Sequence, residues 1–193
     1  MSTLKVNTIQ KRSGSALAIG ESGDTVTITG TTTNIVGTLQ NNGASVGGSN
    51  TPVFAVTLSG NQSIPDASVT KVTFDTESID SDGAFASNKF TVPSGKSGKY
   101  WFSTGLGVDA GGVGSFRNAN VHIYKNGSSV KQSYFHNDNA SAYTTKFFVW
   151  NAAILDLAVS DYIEIYVYHD NAGGTPILTG GTDGSSFYGY KLI

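Results

Sequence analysis

The chain holds three histidines, at 122, 136 and 169, and no cysteine. His136-Asn137-Asp138-Asn139 and His169-Asp170-Asn171 each set an imidazole beside a carboxylate. Those types serve in acid–base work and in metal ligation. Both follow apolar alternating runs, which predicts loops, where Asp and Asn are also ordinary turn residues. His122 lies between Val121 and Ile123 and reads as a packing or surface residue of a strand. Neither Ser15 nor Ser115 stands in a G-x-S-x-G context. Gly111-Gly112-Val113-Gly114 precedes no helical pattern and so lacks the helix N-terminus that a phosphate loop needs. Ile79-Asp80-Ser81-Asp82-Gly83 contains D-x-D-G but not the downstream bidentate glutamate of a calcium loop, and reads as a turn. Without cysteine there is no thiolate nucleophile, no zinc–thiolate site and no disulfide. The expectation is no enzyme, no cofactor and no metal site. Recognition fits these side chains better. Tyr134, His136, Asp138, His169 and Asp170 combine aromatic faces with hydrogen-bonding groups, the chemistry of a glycan contact.

The elements that must position them are strands. Alternating or apolar runs recur at Pro52–Leu58, Val69–Phe74, Lys89–Val92, Lys99–Val108, Asn120–Tyr124, Val130–Phe135, Tyr143–Leu155, Tyr162–Tyr168 and Phe187–Ile193. Asn126-Gly127 is a hairpin signal, because both residues tolerate positive φ. In Tyr162–Tyr168, Ile163, Ile165 and Val167 share one face and Tyr162, Glu164, Tyr166 and Tyr168 the other. Tyr162, Tyr166 and Tyr168 form an aromatic stripe that predicts a second packing surface, such as another subunit. Eight to ten short strands in this span predict an all-β sandwich or jelly roll.

Composition agrees. Only 13 % of the 193 residues are charged, Gly fills 24 positions, and the net charge is −2. This excludes a mainly helical body and argues against a polycationic nucleic-acid binder. No apolar run is long enough for a transmembrane helix, so no membrane insertion is expected. Residues 1–48 contain no aromatic residue, whereas every aromatic lies within 52–193. The predicted organisation is an N-terminal attachment segment at 1–48, β-rich or extended, a linker at 49–51 within the Gly/Ser/Asn-rich stretch 41–50, and a head at 52–193.

The head resembles the globular domain of complement component one-q and its relatives, whose jelly roll is shared with the tumour-necrosis-factor superfamily. Phe74-Asp75, Lys89-Phe90-Thr91-Val92-Pro93 with Gly98-Lys99-Tyr100-Trp101-Phe102, Val121 to Gly127, Asp161 to Ile165 and Ser186 to Leu192 carry the resemblance in the family's order. Ser160 stands where the family has glycine before its aspartate. The resemblance implies a homotrimer. The collagen stalk of the animal members is missing, because Gly does not recur every third residue. The opening Ser2-Thr3-Leu4-Lys5-Val6-Asn7-Thr8-Ile9-Gln10 resembles the start of tailed-bacteriophage structural proteins. That implies attachment to other virion proteins through residues 1–48, with Leu4, Val6 and Ile9 as contacts, and assembly in the host cytoplasm. The leading expectation is a homotrimeric tail-fibre or spike head on the virion surface that contacts host-surface glycans. A capsid decoration or head-fibre protein is the alternative, and a soluble glycan-binding lectin the third.

Overall fold

The computed structural model describes residues 25, 27, 36, 40–41, 44–45, 50–112, 116–137, 145–182 and 184–192. The chain divides into two units, Met1–Val46 and Gly47–Ile193. Leu4, Val6, Ile9 and Asp138 lie outside the described residues.

In the first unit, β1 (Gln40–Asn41) pairs with β2 (Ala44–Ser45), Gln40 opposite Ser45. This short ladder falls in the stretch expected to be linker. The intervening sequence is Asn-Gly, the pair that two-residue hairpins favour.

The second unit is all β among its described residues. Its strands are β3 (Val53–Thr57), β4 (Gln62–Ser63), β5 (Thr70–Lys71), β6 (Thr76–Asp80), β7 (Phe85–Ala86), β8 (Lys89–Thr91) and β9 (Gly98–Asp109). They continue with β10 (Phe116–Lys125), β11 (Ser128–His136), β12 (Lys146–Leu157), β13 (Tyr162–Asn171), β14 (Ile177–Leu178) and β15 (Ser186–Lys191). One antiparallel sheet runs β11-β10-β13-β8-β7, with β5 also on β13; the other runs β4-β14-β9-β15-β3-β6, with β12 on the free edge of β9. Each core strand sends alternate residues between the sheets. Phe54 and Val56, Tyr100 to Val108 at every second position, and Ala119, Val121 and Ile123 are buried, as are Ile163, Ile165 and Val167. The core is aromatic at its centre, where Phe54 stacks on Phe90 at 5.0 Å and meets Phe187 edge-on at 4.9 Å.

The Asn126-Gly127 turn has both central residues at positive φ, 51° and 78°, and joins β10 to β11 with Lys125 opposite Ser128. Asp161 holds that turn from outside. Its carboxylate accepts from Asn126 Nδ2 at 2.7 Å and from the Ala158 N–H at 2.9 Å, and pairs with Lys125 at 2.9 Å. Those donors, Asn126 first, pull its pKa down to about 2.

Candidate functional site

Cross-strand register assembles one face from three strands. On the outer side of β11-β10-β13, Tyr134 stands opposite Asn120, and Asn120 opposite Tyr168. In the next row His136 stands opposite Asn118, and Asn118 opposite Asp170. Directly opposed residues share a face. So Tyr134, His136 and Asp170 come together, with Asn118 and Asn120 between them. Tyr134 is 75 % exposed, and His136 is exposed as well. Asp170 accepts from Asn118 Nδ2 at 3.4 Å and pairs with Arg117 at 3.5 Å.

The structure corrects two placements. His136 and His169 are strand residues rather than loop residues, because β11 and β13 run past the apolar segments into their polar tails. His169 points inward and is 0 % exposed, its ring against Phe116 at 5.5 Å and both ring nitrogens unpartnered. It is no part of the exposed face. Burial lowers its pKa, opposed by Asp66 and Asp170. His122 is buried on the outer face, with Nδ1 3.4 Å from Ser129 Oγ and Nε2 unpartnered.

Tyr162, Tyr166 and Tyr168, expected as a subunit contact, are half-buried. Tyr166 packs on Tyr124 at 4.3 Å, and Lys89 lies 4.6 Å over the Tyr162 ring. Between them Glu164 is buried and paired with Lys71 at 2.7 Å. Much of that stripe is therefore occupied within its own chain.

The larger exposed apolar surface is on the opposite sheet. Trp150 is 59 % exposed, Ile154 63 % and Ile79 50 %, and Tyr188 is exposed with them. Ile154, Trp101 and Tyr190 form one row; Ala152, Ser103, Tyr188, Ala55 and Ile79 form the next. A Cβ at Gly105 would fall 2.4 Å from the Trp150 ring, so glycine there is what lets the indole lie flat on the sheet. Sequence reading passed over this face because Trp150 and Ile154 are apolar residues in an apolar run. Only the pairing of β12 with β9 shows which side they leave uncovered.

The chain enters at Val53, level with Tyr190 and Trp101; Thr57, Ser186 and Gly105 lie toward the other end. Beyond them is a cleft of about 420 Å³ lined by Asn61, Val108, Asp109, Lys146, Phe147, Phe148, Ile177, Thr179 and Gly180. Asp109 and Lys146 pair across it at 3.2 Å. Phe147 joins it to the Asn118 end of the outer face through stacking on Phe135 at 5.1 Å and contact with Phe116 at 4.1 Å.

The Asp80–Gly83 segment is a turn. Asp80 accepts from the Ala84 and Phe85 N–H groups at 2.9 Å each, and Asp82 pairs with Lys96 at 3.3 Å. Among the described residues no group of three or more His, Cys, Asp or Glu is placed to hold a metal ion.

No protein-family model matches the chain, and no curated protein sequence does. Solved structures do. The globular domain of zebrafish complement 1qA protein aligns over 74 % of this chain and 98 % of its own, at 16 % identity and a TM-score of 0.52. Murine APRIL at pH 5.0 aligns over 72 % and 98 %, at 12 % identity and a TM-score of 0.53. The head is a jelly roll of the complement-1q and tumour-necrosis-factor type. At these identities the likeness is one of fold. In this jelly roll β3, β15, β9 and β12 make the sheet with the exposed apolar face, and β8, β13, β10 and β11 the sheet with the polar–aromatic rows.

Proposed function

We propose that residues 52–193 form a homotrimeric binding head, and that the chain is a surface component of a bacteriophage virion that contacts host glycans. The observation that carries the assembly is the apolar face of Trp101, Ala152, Trp150, Ile154, Tyr188 and Ile79. Contiguous exposed aromatics on a rigid sheet mark a surface that another protein covers. A second copy of the chain is the simplest occupant, since the solved structures of this fold aligned above include a complement head and murine APRIL. The end of the head opposite Val53 presents Tyr134, His136 and Asp170. Three weak sites on one rigid body gain avidity without strong chemistry at any one of them. No side chain in this reading is asked to make or break a bond.

The virion assignment is supported by the opening Ser2 to Gln10 and by residues 1–48, which lack aromatic bulk for a core of their own. Two measurements test the proposal. Light scattering is expected to give three times the 20.1 kDa chain mass, and a monomer overturns the assembly. Gold-labelled antibody against residues 52–193 is expected to decorate intact phage particles. Label on the tail supports host contact, label over the capsid replaces it with decoration, and unlabelled particles overturn the virion role.

A further inference from the structure

The cleft at the distal end has properties that the exposed rows lack: it is concave, it has an aromatic wall, and donors and acceptors converge in it. At about 420 Å³ it falls within the size range of small-ligand sites. Phe148 stands at its margin, half exposed. Its ring lies over Gly107, where a Cβ would come within 3.1 Å of the ring and 2.2 Å of Thr179 Oγ1. Glycine at 107 therefore keeps both the ring and the hydroxyl in place, with Phe148 on the lining of the cleft. Asp109 is mostly buried and doubly engaged, accepting from the Gly111 N–H at 2.9 Å and from Lys146 Nζ at 3.2 Å. A carboxylate offers about four lone-pair positions, so acceptor capacity remains. Lys146 is 70 % exposed and carries further N–H groups. Asn61 Oδ1 is held by the Gly180 N–H at 3.1 Å, which leaves its amide N–H groups on the lining.

We infer that this cleft binds a neutral saccharide unit through a vicinal diol, one hydroxyl donating to Asp109 and its neighbour accepting from Lys146, with the sugar ring's C–H face on Phe148. The ion pair itself selects the charge. Asp109 and Lys146 cancel, so a carboxylated sugar meets Asp109 and an amino sugar meets Lys146 without a free counter-charge, while a diol matches one acceptor beside one donor. The inference rests on the reading of the head as a binding module and names its ligand class and a site distinct from the outer rows. It needs no bond-making step.

The test uses the full chain. Saturation-transfer NMR with neutral hexoses, a hexosamine and a sialic acid as probes is expected to show contact from the neutral sugars at roughly millimolar affinity. The charged probes are expected to bind at least tenfold more weakly. Trp150, whose ring stacks with Phe148 at 6.1 Å, supplies a fluorescence readout of the same event. Asp109→Asn and Phe148→Leu are each expected to weaken binding at least tenfold, Asp109→Asn with the oligomer mass unchanged. Val130→Ser, at an exposed position of β11 outside both candidate sites, is expected to leave it unchanged. Equal binding by the charged probes, binding that survives both cleft variants, or no binding by any probe overturns the inference. A saccharide-binding monomer would overturn the trimer and keep the cleft; a trimer that binds no probe would do the reverse.

Discussion

At the scale of single residues, His169 is the group whose environment departs furthest from what its sequence context predicts. It follows Tyr168 and precedes Asp170 in a polar stretch, yet it is fully inside with no partner for either nitrogen. Burial holds it neutral, so its pKa lies below the usual histidine value. The unfolded chain takes up the proton first as pH falls. Stability is then full above about pH 6.5 and is lost as pH falls from there toward the lower folded pKa. The charges of Asp66 and Asp170 reduce this loss without reversing it. His122, also lowered by burial, acts in the same direction. Urea midpoints measured between about pH 7.5 and pH 5 are expected to fall. His169→Leu is expected to remove much of that slope and to leave the neutral-pH midpoint near or above the parent, because it replaces an unpartnered polar ring. A variant with the parent's pH slope would show that His169 takes up its proton equally in the folded and unfolded chains.

At the scale of elements, β12 forms the seam between the two sheets. It pairs with β9 along its whole length, while its other edge lies beside β11 of the opposite sheet. Asn151 ties that seam. It is buried, and its Nδ2 donates to Val121 O at 2.9 Å and to Lys131 O at 3.2 Å, one on β10 and one on β11. Of the two, Lys131 lies on β11, an edge strand whose outer backbone groups lack a neighbouring strand, and here a side chain from the other sheet reaches one of its carbonyls. Asn151→Ala is expected to cost about 2–3 kcal/mol, from the two carbonyls left without their donor and the cavity left behind. Denaturant unfolding checks this, and a loss under about 0.5 kcal/mol, the scatter of ordinary surface changes, would rule out a role as a tie. The long strands were readable in the sequence because their apolar positions alternate, as in Ile163, Ile165 and Val167. β6 was not, since Thr76 to Ser78 give it no apolar periodicity and four of its five residues are exposed. Two-residue strands such as β4 and β14 are too short to carry a period at all.

At the scale of the whole molecule, the uncovered apolar face sets the expected assembly. Trp150→Ser with Ile154→Ser removes apolar bulk from the proposed contact while touching nothing in the core. Each copy then forfeits on the order of 3 kcal/mol of burial, roughly a hundredfold in association. Light scattering at low concentration is expected to shift from trimer to monomer with the unfolding midpoint of the head retained. A variant that stays trimeric would move the contact to another surface, the Tyr162–Tyr168 stripe being the next candidate.

Composition and alternation by themselves determined the all-β class, the change in character near residue 50 and the residues of the long core strands. These are local properties: strand propensity and inside-or-outside alternation are written at a spacing of two residues. The candidate glycan residues were legible only as types. Tyr134, His136 and Asp170 sit on different strands, and their convergence depends on the register of β10 with β11 and β13. Register likewise set Trp150 over Gly105 and Phe148 over Gly107, opened the cleft beside Asp109, and turned His169 inward. Register is decided by long-range pairing and by which face the sandwich buries. A shift of one residue sends every side chain of a strand to the other side, so these features belong to the tertiary structure alone.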